Sequence, residues 1–222
     1  MGRLDIDSKQ YFGIAKYFAN AFNFLLYDGK QVIDPDELRE LDASEIAVQK
    51  TDKLIPVVTI VIYTGTKPWD GPLSLHDMLE FKDKSLKAFV PDYKLNIISA
   101  ADLDDSEFDK FHTEVGFALK ALKHQDKDID SVIEEQKHKK VSPETAFFLK
   151  AAANLDLDLE VENGGIDMCK SLERRSQKDK VIASIETYRE VGTPEDDIIK
   201  RIMERFNVTK DYVLALLTPQ PV

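Results

Sequence analysis

The chain has 222 residues, 43% hydrophobic and 32% charged, with a formal net charge of −11. That is enough apolar material for a sizeable core in one large domain, or in one domain with a smaller companion. The acidic balance excludes a global electrostatic attraction for nucleic acid or anionic membrane, so DNA contact requires a local basic patch, a metal or a partner. The single cysteine, Cys169, excludes an intrachain disulfide and fits a reducing compartment.

The first residues, MGRLDIDSKQ, lack the apolar stretch of a signal peptide. From a cap at Asp7 or Ser8, apolar residues recur at Phe12, Ala15, Phe18, Phe22, Leu25 and Leu26. This spacing predicts one helix, stopped at Asp28-Gly29. QVIDPDELREL reads as a short extended piece, then a helical turn opened by Asp34 with Pro35 first. DASEIAVQKTD is a polar connection. The run Leu54–Tyr63 is β-branched almost throughout and predicts a strand buried on both faces. It is too short to span a bilayer, and the expected location is cytoplasmic.

TGTKPWDGP ends that strand. LSLHDMLEF then predicts a short helix with Ser74 as cap and Asp77 three residues on, its apolar face formed by Leu75, Met78 and Leu79. A second strand, PDYKLNIIS, enters through Pro91. Phe108, Phe111, Val115, Ala118, Leu119 and Leu122 form the stripe of an amphipathic helix within residues 102–125. The following stretch reads as polar linker, a helix opened by Pro143 that packs Phe147, Phe148 and Ala151, and a turn at ENGGIDM. The rest is helical, punctuated at Gly192 and Asn207. Thr193-Pro194-Glu195 starts one helix with Asp196 as its third residue, and Thr209 caps the last.

The chemistry-bearing residues are few. There is no Gly-rich phosphate loop, and one cysteine allows no Cys/His zinc spacing. His76 reads as a polar residue of the helix after the Trp loop, and Cys169 lacks a neighbouring His in sequence to activate it. A metal-dependent nuclease needs carboxylates for Mg²⁺ and a nearby Lys. Asp70 with Glu80-Phe81-Lys82 fits that pattern formally, as does Asp92-Tyr93-Lys94. On a strand, residues i and i+2 share a face. On a helix they diverge, and Glu80 to Lys82 reads as helix; Asp92 and Lys94 lie at a strand entrance but have no identifiable carboxylate partner, so both matches read as solvated surface. Trp69 has two readings: a lid on the strand end, with Asp70-Gly71 turning before Pro72, or part of a ligand site at the strand's C-terminal edge. The candidate loop therefore comprises Trp69, Asp70, His76, Glu80 and Lys82. The second of the last two helices offers only Lys210, with Asp211 beside it, as a base-reading side chain, so the pair reads as an αα-hairpin rather than a DNA-binding helix-turn-helix.

FANAFNFLLYDGKQVIDPDELRELD resembles the N-terminal signature of the Rpn family of recombination-promoting nucleases, the YhgA-like transposase type. LIPVVTIVIYTGTKPWDGPLSLHDML is similar to its central strand and loop, and DYKLNIISAADL to its next strand. GIDMCKSLE and IIKRIMERFNVTKDYVLALL resemble its ending. The resemblance implies membership of the PD-(D/E)xK superfamily: a restriction-endonuclease-like α/β core, Mg²⁺-dependent DNA cleavage, DNA as a partner and a role in recombination. Similar proteins carry a longer segment between the ELD and LIPVVT stretches, with an Arg-Asp pair and a GIENQ-like strand. Here only ASEIAVQKTDK stands there, so no family catalytic residue carries over. The expected fold is a truncated α/β (α+β) core over residues 1–125, a linker and helix over 126–165, and a helical C-terminal region over 166–222. The expected function is that of a degenerate family member that self-associates through exposed apolar edges. The alternatives are an active Mg²⁺ endonuclease and a non-enzymatic module pairing with full-length relatives.

Overall fold

The computed structural model describes residues 3–38 and 58–217. The polar connection DASEIAVQKTD, the first residues of the Leu54–Tyr63 run and the place where the longer family segment would stand lie outside the described residues.

The N-terminal region forms two helices rather than the single one expected, α1 (Arg3–Phe12) and α2 (Ala15–Tyr27). The chain breaks at Gly13-Ile14. Gly13 N–H closes onto the Lys9 carbonyl at 2.9 Å, while Ile14 turns extended and its carbonyl accepts from Tyr17 and Phe18. Asp7 and Ser8 therefore lie inside α1, not at a cap. The break lets Tyr11 and Tyr17 both enter the core, their rings 4.5 Å apart. Burial on α2 also departs from the expected stripe: Asn20 and Asn23 are buried, and Phe18 and Leu26 are exposed. Asn23 earns its place by holding the next loop. Its Oδ1 accepts from Val32 and Ile33 N–H, and its Nδ2 donates to the Ile33 carbonyl. Asp28 and Gly29 end α2 with left-handed backbone, as expected. Asp34 caps the 3₁₀ turn Pro35–Glu37 by accepting from Asp36 N–H.

Strands β1 (Ile60–Tyr63) and β2 (Asn96–Ser99) pair in parallel, Ile60 opposite Asn96 and Tyr63 opposite Ser99. The β-branched run is thus a short strand. It is half-buried rather than covered on both faces, because only β2 pairs with it among the described residues. Ile60 and Ile62 face the core. The expected helix over 102–125 is also broken. Its first part is the 3₁₀ segment Asp105–Lys110, closed by a capping box between Asp104 and Glu107. Phe111 is extended, and α3 (Val115–Lys123) begins four residues later. The apolar stripe is nonetheless buried at all six positions.

Two short helices follow, α4 (Ile129–Glu134) and α5 (Pro143–Ala152). Helix α4 stands where the sequence pattern predicts a polar linker. Ser142 caps α5 by accepting from Thr145 N–H, with Pro143 first, as expected. The buried face of α5 is Thr145, Ala146, Phe148 and Leu149. Phe147 (51% exposed) and Ala151 point away, contrary to the sequence reading, because α1 and α3 pack on the other side. ENGGIDM makes the turn of a hairpin, β3 (Val161–Glu162) with β4 (Gly165–Ile166). Asn163 and Gly164 take positive φ at its tip, as a two-residue hairpin turn requires.

Helices α6 (Met168–Glu190), α7 (Glu195–Phe206) and α8 (Lys210–Leu217) complete the chain. Gly192 and Asn207 separate them with positive φ, and Thr209 Oγ1 accepts from Tyr212 N–H. Helix α7 begins at Glu195, which makes Asp196 its second residue rather than its third. One apolar cluster runs from Tyr11 to Leu172 and contains Leu119, Leu122, Ile133 and Leu149. A second joins Val181 and Ile185 of α6 to Ile198, Ile199 and Ile202 of α7 and to Val213 and Leu217 of α8. The architecture is α/β with a small parallel sheet and a helical C-terminal region. Helices α7 and α8 form the expected αα-hairpin, its apolar faces consumed in packing.

Candidate functional site

The Trp69 loop leaves the C-terminal end of β1, the edge at which open α/β sheets place their ligands. Trp69 lies edge-on to Tyr63, the last residue of β1, with ring centroids 5.2 Å apart. Its backbone N–H donates to Asp102 Oδ2 at 3.2 Å, just beyond the end of β2. The ring lies so close to Gly71 that a Cβ there would force it to shift. Gln125 Nε2 donates to the Thr64 carbonyl and ties the loop to the segment after α3. This is the lid arrangement. The indole N–H of Trp69 is buried with no hydrogen-bond partner among the described residues.

His76 lies on the 3₁₀ turn His76–Met78, where a short helix was expected. Its Nε2 is 2.8 Å from the Val90 carbonyl, its main-chain N–H donates to Asp92 Oδ1, and its ring meets Phe81 edge-on. That main-chain hydrogen bond holds the Asp92 carboxyl below the usual carboxylate range. Ser74 pairs with Lys94 across an antiparallel bridge, so residues 73–75 run beside 93–95. Ser74 Oγ accepts from Asp77 N–H, and Asp77 accepts from Leu73 N–H, but the turn's cap position is Leu75, one residue after the cap expected at Ser74. The apolar face expected on that helix does not pack: Leu75, Met78 and Leu79 are exposed.

Asp70, Glu80 and Lys82 are exposed, on irregular backbone. Glu80 and Lys82 lie neither on a helix, as the sequence suggested, nor on a strand that would align them. Among the described residues no hydrogen bond or ion pair joins the three, and they contribute to no cluster of metal-ligating groups. Mg²⁺ requires near-octahedral oxygen ligands converging on one point. The loop residues do not fit such an ion.

Two polar arrangements escaped the sequence reading. Glu114, at the entrance to α3, accepts from Ser142 N–H at 3.0 Å, Ser142 Oγ at 2.5 Å, Thr145 Oγ1 at 2.6 Å and the Tyr17 hydroxyl at 3.2 Å. Burial pushes its carboxyl up, but the donors from Ser142, Thr145 and Tyr17 outweigh burial and hold it below its ordinary value. The second arrangement is His138, Asp167 and Cys169, whose donor atoms lie within 4.8 Å of one another. Cys169 therefore does have a histidine beside it, supplied from 31 residues away. No spacing rule could have signalled either arrangement, because each joins loops and helix caps distant in sequence. A shallow groove of about 760 Å³ also opens between α1 and α5, lined by Gln10, Tyr11, Phe147 and Asn154.

Residues 39–145 match the family model described as Putative transposase, YhgA-like. Over that span the chain is similar to the YhgA-like family. The span takes in β1, the Trp69 loop, β2, α3, α4 and the first turn of α5. It therefore contains every residue of the candidate loop, as well as Glu114 and His138. The likeness is to transposase-like proteins. A search of curated proteins and a search of solved structures each returned no match. Among the described residues, no helix of this YhgA-like chain is long and apolar enough to cross a membrane.

Proposed function

We propose that this YhgA-like chain is a catalytically degenerate, cytoplasmic relative of recombination-promoting nucleases, associated with DNA recombination or mobile elements. It keeps the strand-and-loop frame of a restriction-endonuclease-like core and lacks the metal-binding carboxylates. In this reading, residues 1–125 are the partial core, 126–165 a connection and 166–222 a helical unit. The observation that carries it is what the acidic groups around the strand ends do. Asp102 holds the Trp69 N–H, Asp92 the His76 N–H and Asp77 the Leu73 N–H, while Asp105 pairs with Lys123 and His124. Each of these carboxylates shapes the loop frame, and none converges with Asp70 or Glu80 on a cation. The test is supercoiled plasmid incubated with the purified chain and Mg²⁺ or Mn²⁺. The plasmid stays intact; metal-dependent nicking would establish the runner-up, an active endonuclease.

A second reading has its own support: a non-enzymatic module that pairs with itself or with full-length relatives. Between the two strands, Met78 (69% exposed), Phe89 (82%) and Tyr93 (77%) stand in solvent with Leu73 and Leu86. A large exposed apolar surface marks an association face. Among the described residues the sheet has two strands only, and an open strand edge invites a further strand. Sedimentation of the purified chain then shows an oligomer, and Phe89→Asp shifts it toward monomer. A chain monomeric at all concentrations, alone or mixed with a full-length relative, contradicts this reading.

A further inference from the structure

We propose that His138, Asp167 and Cys169 form a binding site for a zinc-type divalent cation. The site is independent of the nuclease question. Two segments distant in sequence build it. The turn after α4 carries Lys137 and His138, both with left-handed backbone, and presents the imidazole toward the start of α6. Asp167 is the N-cap of α6, and Cys169 lies in its first turn.

The donor set is one nitrogen, one oxygen and one sulfur, mutually within 4.8 Å, close to the separations of ligands around one small cation. His138 Nδ1 is 3.0 Å from Asp167 Oδ2. Its other nitrogen, Nε2, is 3.8 Å from Glu173 Oε1. That separation is beyond a hydrogen bond, but it puts a carboxylate on the side of the ring from which metal-bound imidazoles are oriented. The His138 main-chain N–H approaches Cys169 Sγ at 3.4 Å, which holds the sulfur beside the turn that carries the imidazole. Thiolate and imidazole select zinc-like cations over Mg²⁺ or Ca²⁺, which want oxygen alone. The exposed His138 ring leaves an open approach, so water can complete a four-coordinate site. On binding, the Cys169 S–H proton, now donated to the Ile133 carbonyl, leaves to solvent, and sulfur bonds the cation as thiolate. The competing explanation is purely structural. Asp167 caps α6 through Lys170 N–H, and His138 hydrogen-bonds to the cap.

The experiment is a Co²⁺ titration of the reduced, metal-free full chain, followed by absorption. One Co²⁺ per chain is expected, with a thiolate-to-cobalt charge-transfer band and the intense visible bands of tetrahedral coordination, both bleached by one equivalent of Zn²⁺. Cys169→Ser abolishes the charge-transfer band. His138→Gln changes an exposed side chain, and Asp167→Asn keeps a competent helix cap. Each leaves the circular dichroism unchanged and weakens Co²⁺ binding at least about tenfold. Absence of the thiolate band overturns the proposal. So does an affinity unmoved by His138→Gln and Asp167→Asn, which would mean that the cysteine alone collects metal.

Discussion

Glu114→Ala is expected to destabilise the protein by about 3 kcal/mol or more, the largest effect of any polar substitution here. The carboxylate is the common acceptor of a polar knot set into the apolar cluster. Tyr17 and Thr145 are fully buried, and Ser142 caps α5. Tyr11 joins through Thr145 Oγ1 at 3.2 Å, and burial drives its phenol pKa far upward, so it stays protonated. Removing Glu114 leaves the Ser142 N–H and the Thr145 and Tyr17 hydroxyls short of an acceptor in a place where water replaces it poorly. It also cuts the tie between α2, α3 and α5. Glu114→Gln keeps one acceptor and costs less. Urea unfolding followed by circular dichroism measures both.

The same residue sets a pH dependence. Its folded pKa lies below the ordinary 4.5, so its contribution is fully present above about 4.5. It is lost as pH falls through the folded value, where the carboxylate must take up a proton. Wild-type stability therefore falls on acidification below about 4.5, and Glu114→Gln flattens that fall. The flattening is partial, because Asp28, Asp105 and Glu162 are also held low by paired lysines.

Ile202→Ala is expected to cost about 3 kcal/mol, the loss of a fully buried side chain plus the cavity it leaves. Its consequence is regional. Ile202 sits in the cluster of α6, α7 and α8, which shares no buried residue with the larger one. The linking stretch of α6 between Leu172 and Val181 is polar and mostly exposed. The variant should lose helical signal at a lower urea concentration than the wild type, and proteases should cut first within residues 181–217. The near-ultraviolet signal of Tyr11 and Tyr17 should persist through that first step. A single cooperative transition in the variant would show the two clusters to be one unit.

Local signals carried the sequence reading wherever the physics is local. Pro35, Ser142-Pro143, Gly192, Asn207 and Thr209 each mark a helix end through a hydrogen bond or dihedral that needs only near neighbours. The stripe Phe108 to Leu122 told which residues are buried, but not that the helix breaks at Phe111, where Thr113 reaches across to Asn20. Phe147 and Phe148 are alike in sequence, and only the positions of α1 and α3 decide which one enters the core. In the candidate loop, the packing of Trp69 over the strand end was legible, and so was the Ser74–Asp77 contact, though the turn starts one residue later than its spacing suggests. The commitments of Asp92 and Asp102 were not, because their partners lie 16 and 33 residues away. Glu114 and the His138–Cys169 contact are of the same kind.

The most direct test of the account is plasmid cleavage by the purified chain with Mg²⁺, with Mn²⁺ and with EDTA, alongside Asp70→Asn and Glu80→Gln. The account predicts that supercoiled plasmid survives every condition, with the variants indistinguishable from wild type. Metal-dependent nicking that disappears in either variant would contradict it, and would put a working site on the Trp69 loop.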